Sequence, residues 1–129
     1  MEKNKPYSIL ICEDDLNLRN LLSLKLKNEG YEILSAAEGS AGLEMALEKK
    51  PDLILLDLLM PGMKGDAVLA ALRNDPWGKT AKVIILTNVS NDDKMMKEIG
   101  ANNPVFYLVK SDNSLKELID KIKETFQEE

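Results

Sequence analysis

Five short apolar runs divide the chain: YSILIC (Tyr7 to Cys12), YEILSA (Tyr31 to Ala36), DLILLD (Asp52 to Asp57), KVIILT (Lys82 to Thr87) and VFYLV (Val105 to Val109). Four of them are nearly continuous rather than alternating. A strand covered on both faces, as in a parallel sheet, reads this way, whereas a strand with one wet face alternates. Stretches with helical spacing lie between the runs. In the first, Leu18, Leu21, Leu22 and Leu26 fall on one face, Asp15 or a neighbour caps the start, and Gly30 ends it. The second runs from about Ser40 and closes on Lys49 and Lys50 before Pro51. Cations suit a helix C-terminus, and proline stops the helix. The third covers about Gly65 to Asn74, and the fourth starts near Asn91, with Asp92 and Asp93 in its first turn, and ends at Gly100. The last opens on SLKE (Ser114 to Glu117), a capping-box pattern, and carries Leu115, Leu118, Ile119, Ile122 and Phe126 as one apolar stripe.

Strand followed by helix, repeated five times, predicts an α/β fold with a parallel sheet and helices on both faces. No linker, internal repeat or low-complexity stretch interrupts the alternation. Residues 1–129 are therefore expected to form a single domain, with nothing left over for an output domain.

In an open parallel sheet, ligands bind outside the carboxyl ends of the strands. The first run here ends in Glu13, Asp14 and Asp15, the third at Asp57, the fourth at Thr87 and Asn88, and the fifth at Lys110. The fold reading sends all of these to one edge. Carboxylates crowded together repel one another unless a cation sits between them. Hard divalent cations take oxygen ligands, and Mg²⁺ typically uses one or two carboxylates plus waters and phosphate oxygens. A metal and a lysine on one edge suit a phosphoryl group, whose charge lies on its equatorial oxygens. Asp57 is then a metal ligand, or a ligand and a nucleophile as well.

Each of these residues also has an ordinary reading. An acidic run is commonly a helix N-terminus. An aspartate after a strand is commonly a turn residue. Thr87 and Lys110 say little singly. Cys12 and the methionines Met60, Met63, Met95 and Met96 read as core packing. The coincidence at successive strand ends is what favours a site. GKT (Gly78 to Thr80) resembles the end of a phosphate-binding P-loop, but Arg73 stands where the motif needs its first glycine, and the segment precedes a strand rather than a helix.

Composition narrows the classes further. A net charge of −5 argues against nucleic acid as the main partner, since phosphate binding needs a basic face. Cys12 is the only cysteine, so no intrachain disulfide forms, in keeping with a reducing compartment. The chain has no histidine, which removes histidine-dependent triads and histidine-ligated metals. No apolar stretch is long enough for a signal peptide or a membrane span, and a cytoplasmic location is expected.

The segments ILICEDDLNLR, LILLDLLMPGMKG, VIILTN and FYLVKS, in this order and spacing, resemble the receiver domain of two-component response regulators, and the resemblance runs from about Ser8 to Thr125. It implies a flavodoxin-like, doubly wound (βα)5 fold with strand order 2-1-3-4-5. It also implies that Asp57 accepts a phosphoryl group, that Asp14 binds Mg²⁺ directly, and that Glu13 acts mostly through water. Leu59 would lend the metal its backbone carbonyl. Thr87 and Lys110 would hold the phosphoryl oxygens, with Thr87 and Tyr107 acting as the switch pair. Asp15 falls just after the acidic pair and reads as a helix cap.

The implied donor is a sensor histidine kinase or a histidine phosphotransfer protein. The implied output is a protein target bound through the face of the fourth helix, fifth strand and fifth helix, without nucleic acid contact or membrane insertion. The chain would be monomeric, with dimerisation on phosphorylation left open. It would catalyse its own phosphorylation and slow dephosphorylation without being a conventional enzyme.

Three departures accompany the resemblance. Ser111 follows the lysine where proline is common, Asn88 follows the threonine where a small residue is usual, and Leu59 and Val89 are both apolar at positions flanking the hydrolytic water. The last two predict a long-lived phosphorylated form. The competing readings are a degenerate receiver that binds without phosphorylation, and an aspartyl phosphatase. The phosphatase would want a second acid where Leu59 stands. A flavin carrier would need a glycine- and hydroxyl-rich loop where EDDLNLR stands.

Overall fold

The computed structural model describes residues 6–87, 102, 104, 106–109 and 114–127. Five strands form a parallel sheet: β1 (Ser8–Cys12), β2 (Glu32–Ala36), β3 (Leu53–Asp57), β4 (Val83–Thr87) and β5 (Phe106–Val109), in the order β2-β1-β3-β4-β5. Each lies within an apolar run that predicts it. Three helices connect the first four strands: α1 (Leu16–Asn28), α2 (Gly39–Lys49) and α3 (Gly65–Arg73). A 3-10 turn, Gly78–Thr80, leads into β4, and a C-terminal helix, Ser114–Gln127, closes the described chain. The predicted fourth helix, from Asn91 to Gly100, lies outside the described residues.

Alternate residues of the central strands feed two separate cores. Leu10, Cys12, Ile54, Leu56, Val83 and Ile85 pack with Ala46 of α2 and with Val68, Leu69 and Leu72 of α3. Their chain neighbours Ile9, Ile11, Leu53, Leu55, Ile84 and Leu86 pack on the other face with Leu22 and Leu26 of α1 and with Leu118, Ile122 and Phe126 of the C-terminal helix. A strand buried on both faces has no polar position to spare, which is why these runs do not alternate.

Helix boundaries reflect local chemistry. The Asp15 carboxylate accepts from the amides of Asn17 (3.0 Å) and Leu18 (3.4 Å) and so caps α1. Gly30, at φ +100°, takes the chain out of that helix. Two expectations are corrected. Leu21 does not join the buried face of α1 but is 41% exposed. At 100° per residue it sits at the flank of the arc centred on Leu22, which Leu26 and the half-buried Leu18 share. Ser114 is the first helical residue of the C-terminal helix rather than the flanking cap position.

Arg73 ties the end of α3 to the turns that precede β4 and β5. Its guanidinium donates to the carbonyls of Gly78 (2.6 Å), Ala81 (2.8 Å) and Asn102 (2.7 Å), joining three separate points of the chain. Hydrogen bonds from a charged donor are among the stronger ones, and carbonyls left behind by truncation lose a partner. Arg73→Ala is expected to destabilise the fold by about 2 kcal/mol or more, measured by urea unfolding. A change below about 0.5 kcal/mol, the ordinary range for a surface substitution, would show that the clamp is incidental. The C-terminal helix is anchored near its end, where Phe126 stacks on Tyr7 at a centroid distance of 4.1 Å and Lys123 pairs with Glu29 at 2.9 Å.

Candidate functional site

In this strand order the chain leaves β1 toward β2 on one side and leaves β3 toward β4 on the other. The connections diverge between β1 and β3, opening a crevice beyond the carboxyl ends of those two strands. β1 delivers Glu13 and Asp14 to that crevice, and β3 delivers Asp57. One carboxylate oxygen from each of the three comes within 4.8 Å of the others. Glu13 and Asp57 are buried, at 1% and 3% exposure, while Asp14 is open to solvent.

The backbone around the cluster is fixed. The Glu13 amide donates to the Ala36 carbonyl at 3.1 Å, extending the β1–β2 pairing one residue past the strand. The Glu13 carboxylate accepts from the Asp15 amide at 3.1 Å. The Arg19 guanidinium donates to the Glu13 carbonyl at 2.9 Å and to that of Asp14 at 3.5 Å. One α1 side chain thus holds both acidic residues by their main chain. Sequence reasoning missed Arg19, because nothing in its type or spacing marks the carbonyls it reaches.

The loop after β3 is equally constrained. The Leu59 amide donates to Asp57 Oδ1 at 3.4 Å, and the Gly65 amide closes the loop on the Leu58 carbonyl at 2.9 Å. Leu58 and Met60 point into the core, at 1% and 4% exposure, whereas Leu59 between them is 46% exposed. Gly62 turns the loop at φ +75°. Met60 is therefore core filler, as the sequence suggests.

Thr87 ends β4, where it pairs with Val109 of β5, and Tyr107 pairs with Ile85 one turn of the pleat earlier. The backbone thus places the carboxyl end of β4 beside that of β3, and the carboxyl end of β5 one strand further out. Lys110, Asn88, Val89 and Ser111 lie outside the described residues, as do Met95 and Met96. The GKT segment forms the 3-10 turn before β4, at the opposite edge of the sheet from Asp57, and is not part of the site.

The donor set suits a hard divalent cation. All three side chains offer oxygen, two of them from buried positions, and no cysteine joins the cluster among the described residues. Cys12 is adjacent in sequence but not in chemistry. It is 1% exposed, and burial pushes its thiol up to about 12. The thiolate is the reactive form, so the native protein is expected to resist a disulfide reagent such as Ellman's at neutral pH and to react once unfolded. Rapid reaction of the folded protein would contradict the packing described.

A parallel five-stranded α/β sandwich with an acidic crevice at its switch point defines a receiver-type fold. Residues 9–123 match the response regulator receiver domain, and the chain belongs to that family. It is 31% identical to the phosphate regulon transcriptional regulatory protein PhoB of Pseudomonas aeruginosa over 118 residues, which are 90% of this chain and 50% of that protein. It is 39% identical to the transcriptional regulatory protein AfsQ1 of Streptomyces coelicolor over 87 residues, 67% of this chain and 36% of that one. The chain spans no more than half the length of these curated relatives. Among solved structures, the CheY-like receiver domain protein of Methanospirillum hungatei superposes with a TM-score of 0.87 at 27% identity, covering 96% of each chain. Chemotaxis response regulator CheY4 of Vibrio cholerae does so at 0.83 and 28%, covering 93% of this chain and 98% of that one. No helix among the described residues is long and apolar enough to cross a membrane.

Proposed function

We propose that this receiver takes a phosphoryl group onto Asp57 from a phosphohistidine of a partner kinase or phosphotransfer protein, and that the change in charge alters its contacts with a downstream protein. The observation that carries the proposal is the meeting of Glu13, Asp14 and Asp57 within 4.8 Å at the switch point of the sheet. An Asp57 oxygen attacks phosphorus, the phosphorus–nitrogen bond breaks, and its electron pair stays on the departing imidazole. The product is an acyl phosphate on Asp57. The Leu59 amide orients the attacking carboxylate through its 3.4 Å contact with Oδ1. Thr87, the last residue of β4, and Lys110, which follows β5 in the sequence, would bind the phosphoryl oxygens. Mg²⁺, held by Glu13, Asp14, Asp57 and the Leu59 carbonyl, would offset charge on those oxygens.

Exposed Leu16 and Leu59, at 58% and 46%, border this part of the chain and offer apolar contact to a protein donor. The described residues form one sheet with a core on each face, which supports reading them as a single receiver unit; signalling by protein contact in the cytoplasm belongs to the same proposal. The output surface would be the face of the fourth helix, β5 and the C-terminal helix, with Thr87 and Tyr107 coupling it to Asp57. Chemical-shift mapping with a phosphoryl mimic tests this, and perturbations confined to α2 would contradict it.

Incubation with acetyl phosphate and Mg²⁺, followed by intact mass, tests the chemistry. One added phosphoryl group is expected, lost when the metal is chelated. No gain under any condition would favour a receiver that binds partners without phosphorylation. Leu59 and Val89 have no side-chain group to orient an attacking water and Asn88 adds bulk after Thr87, so the phosphorylated form is expected to persist once donor is removed with Mg²⁺ saturating. Decay complete within manual mixing time would refute that expectation.

A further inference from the structure

Among the described residues no side chain of the β2–α2 junction belongs to the acidic cluster, yet the junction abuts the loop after Asp57. Gly39, the first residue of α2, lies against the backbone of Met63. A Cβ built on Gly39 falls 1.7 Å from the Met63 carbonyl oxygen, 2.6 Å from its carbon and 2.9 Å from its Cβ. A second glycine closes the same loop from its far end. A Cβ on Gly65 falls 2.3 Å from the Asp57 carbonyl oxygen and 2.7 Å from Leu58 Cα. Neither glycine adopts the left-handed backbone that other residues avoid. Their lack of a side chain therefore answers to space and not to conformation.

The loop between these two contacts carries Leu59, whose amide meets Asp57 Oδ1. It has little freedom to move inward, because Leu58 and Met60 are already buried and Met63 packs against the core they belong to. A methyl group on Gly39 must displace the Met63 carbonyl by more than an ångström, and close-packed interiors pass such shifts on rather than absorb them. Rigid placement of the groups around a reacting centre is worth orders of magnitude in rate.

From these contacts we infer that Gly39 is a positioning residue for chemistry at Asp57: it sets the depth of the loop from Leu58 to Gly65, and through it the Leu59 backbone beside the acceptor carboxylate. The inference rests on the reading of Asp57 as phosphoryl acceptor.

The test compares Gly39→Ala with Gly78→Ala. A Cβ on Gly78 falls 2.0 Å from the Leu72 carbonyl oxygen, a clash of similar severity at the other edge of the sheet. Both variants should lose stability. Only Gly39→Ala should speed metal-free hydrogen exchange of the Gly65 amide beyond what its global stability accounts for. Only Gly39→Ala should raise, at least fivefold, the Mg²⁺ concentration that half-saturates the amide shift of Leu59, with a matching rise in the Mg²⁺ needed for labelling by acetyl phosphate. Equal behaviour of the two variants overturns the inference, whereas failure of the parent to label at all overturns the acceptor reading instead. If Gly39→Ala does not fold, Gly62→Ala strains the same loop through its φ of +75° with no atom within 4 Å of the new methyl. An unchanged Mg²⁺ requirement there overturns the inference as well.

Discussion

Asp57→Asn is expected to abolish labelling by acetyl phosphate while leaving the fold intact. The substitution preserves volume at a position that is 3% exposed, and the amide oxygen still accepts from the Leu59 amide. What it removes is the nucleophile, since a neutral amide oxygen does not form the acyl phosphate. A drop in labelling rate of roughly a hundredfold or more, corresponding to about 2.7 kcal/mol of lost transition-state stabilisation, is the smallest change consistent with Asp57 as acceptor. Intact mass resolves it. Labelling that continues undiminished would place the acceptor elsewhere.

The second large effect is on stability. Three carboxylates that approach within 4.8 Å, two of them buried, repel one another in the folded state and are dispersed in the unfolded one. A divalent cation among them removes that penalty and binds the folded state selectively. Saturating Mg²⁺, at a hundred times its dissociation constant, should raise stability by about 2.7 kcal/mol, read as a shift of the urea midpoint at constant slope. A chelator should reverse it. Asp57→Asn, which takes away one of the three candidate ligands, should gain less when Mg²⁺ is added. A parent whose midpoint ignores Mg²⁺ would mean that the crevice is acidic without being a metal site.

These predictions depend on features that differ in how far a sequence reveals them. Strand positions were legible because burial on both faces removes polar residues from Ile9, Leu10 and Ile11 and from Leu53 to Leu56 alike, leaving an unbroken apolar run. Glu13, Asp14 and Asp57 were legible because the fold class alone sends strand ends to a common edge. The caps at Asp15 and Gly30 were legible because the chemistry is local, within three residues. Leu21 was misjudged because a leucine at the flank of a helix face satisfies the spacing rule without being covered.

Arg19, Gly39 and Gly65 were opaque for a different reason. The partner of each is a main-chain group: the carbonyls of Glu13 and Asp14, of Met63, and of Asp57. Main-chain groups carry no sequence signature, so a residue chosen to fit one looks arbitrary until the backbone is placed. Gly65 could be read as a helix start, but not as the residue that lets α3 rest on the Asp57 carbonyl.

The most direct test of Asp57 as acceptor is to locate the label. After incubation with acetyl phosphate and Mg²⁺, borohydride reduces an aspartyl phosphate to homoserine, and peptide mass mapping finds the converted residue. Conversion is expected at Asp57 alone, and is expected to vanish when Mg²⁺ is chelated. Conversion at Asp14 or any other carboxylate, or none in a protein that is folded and supplied with metal, would contradict the assignment.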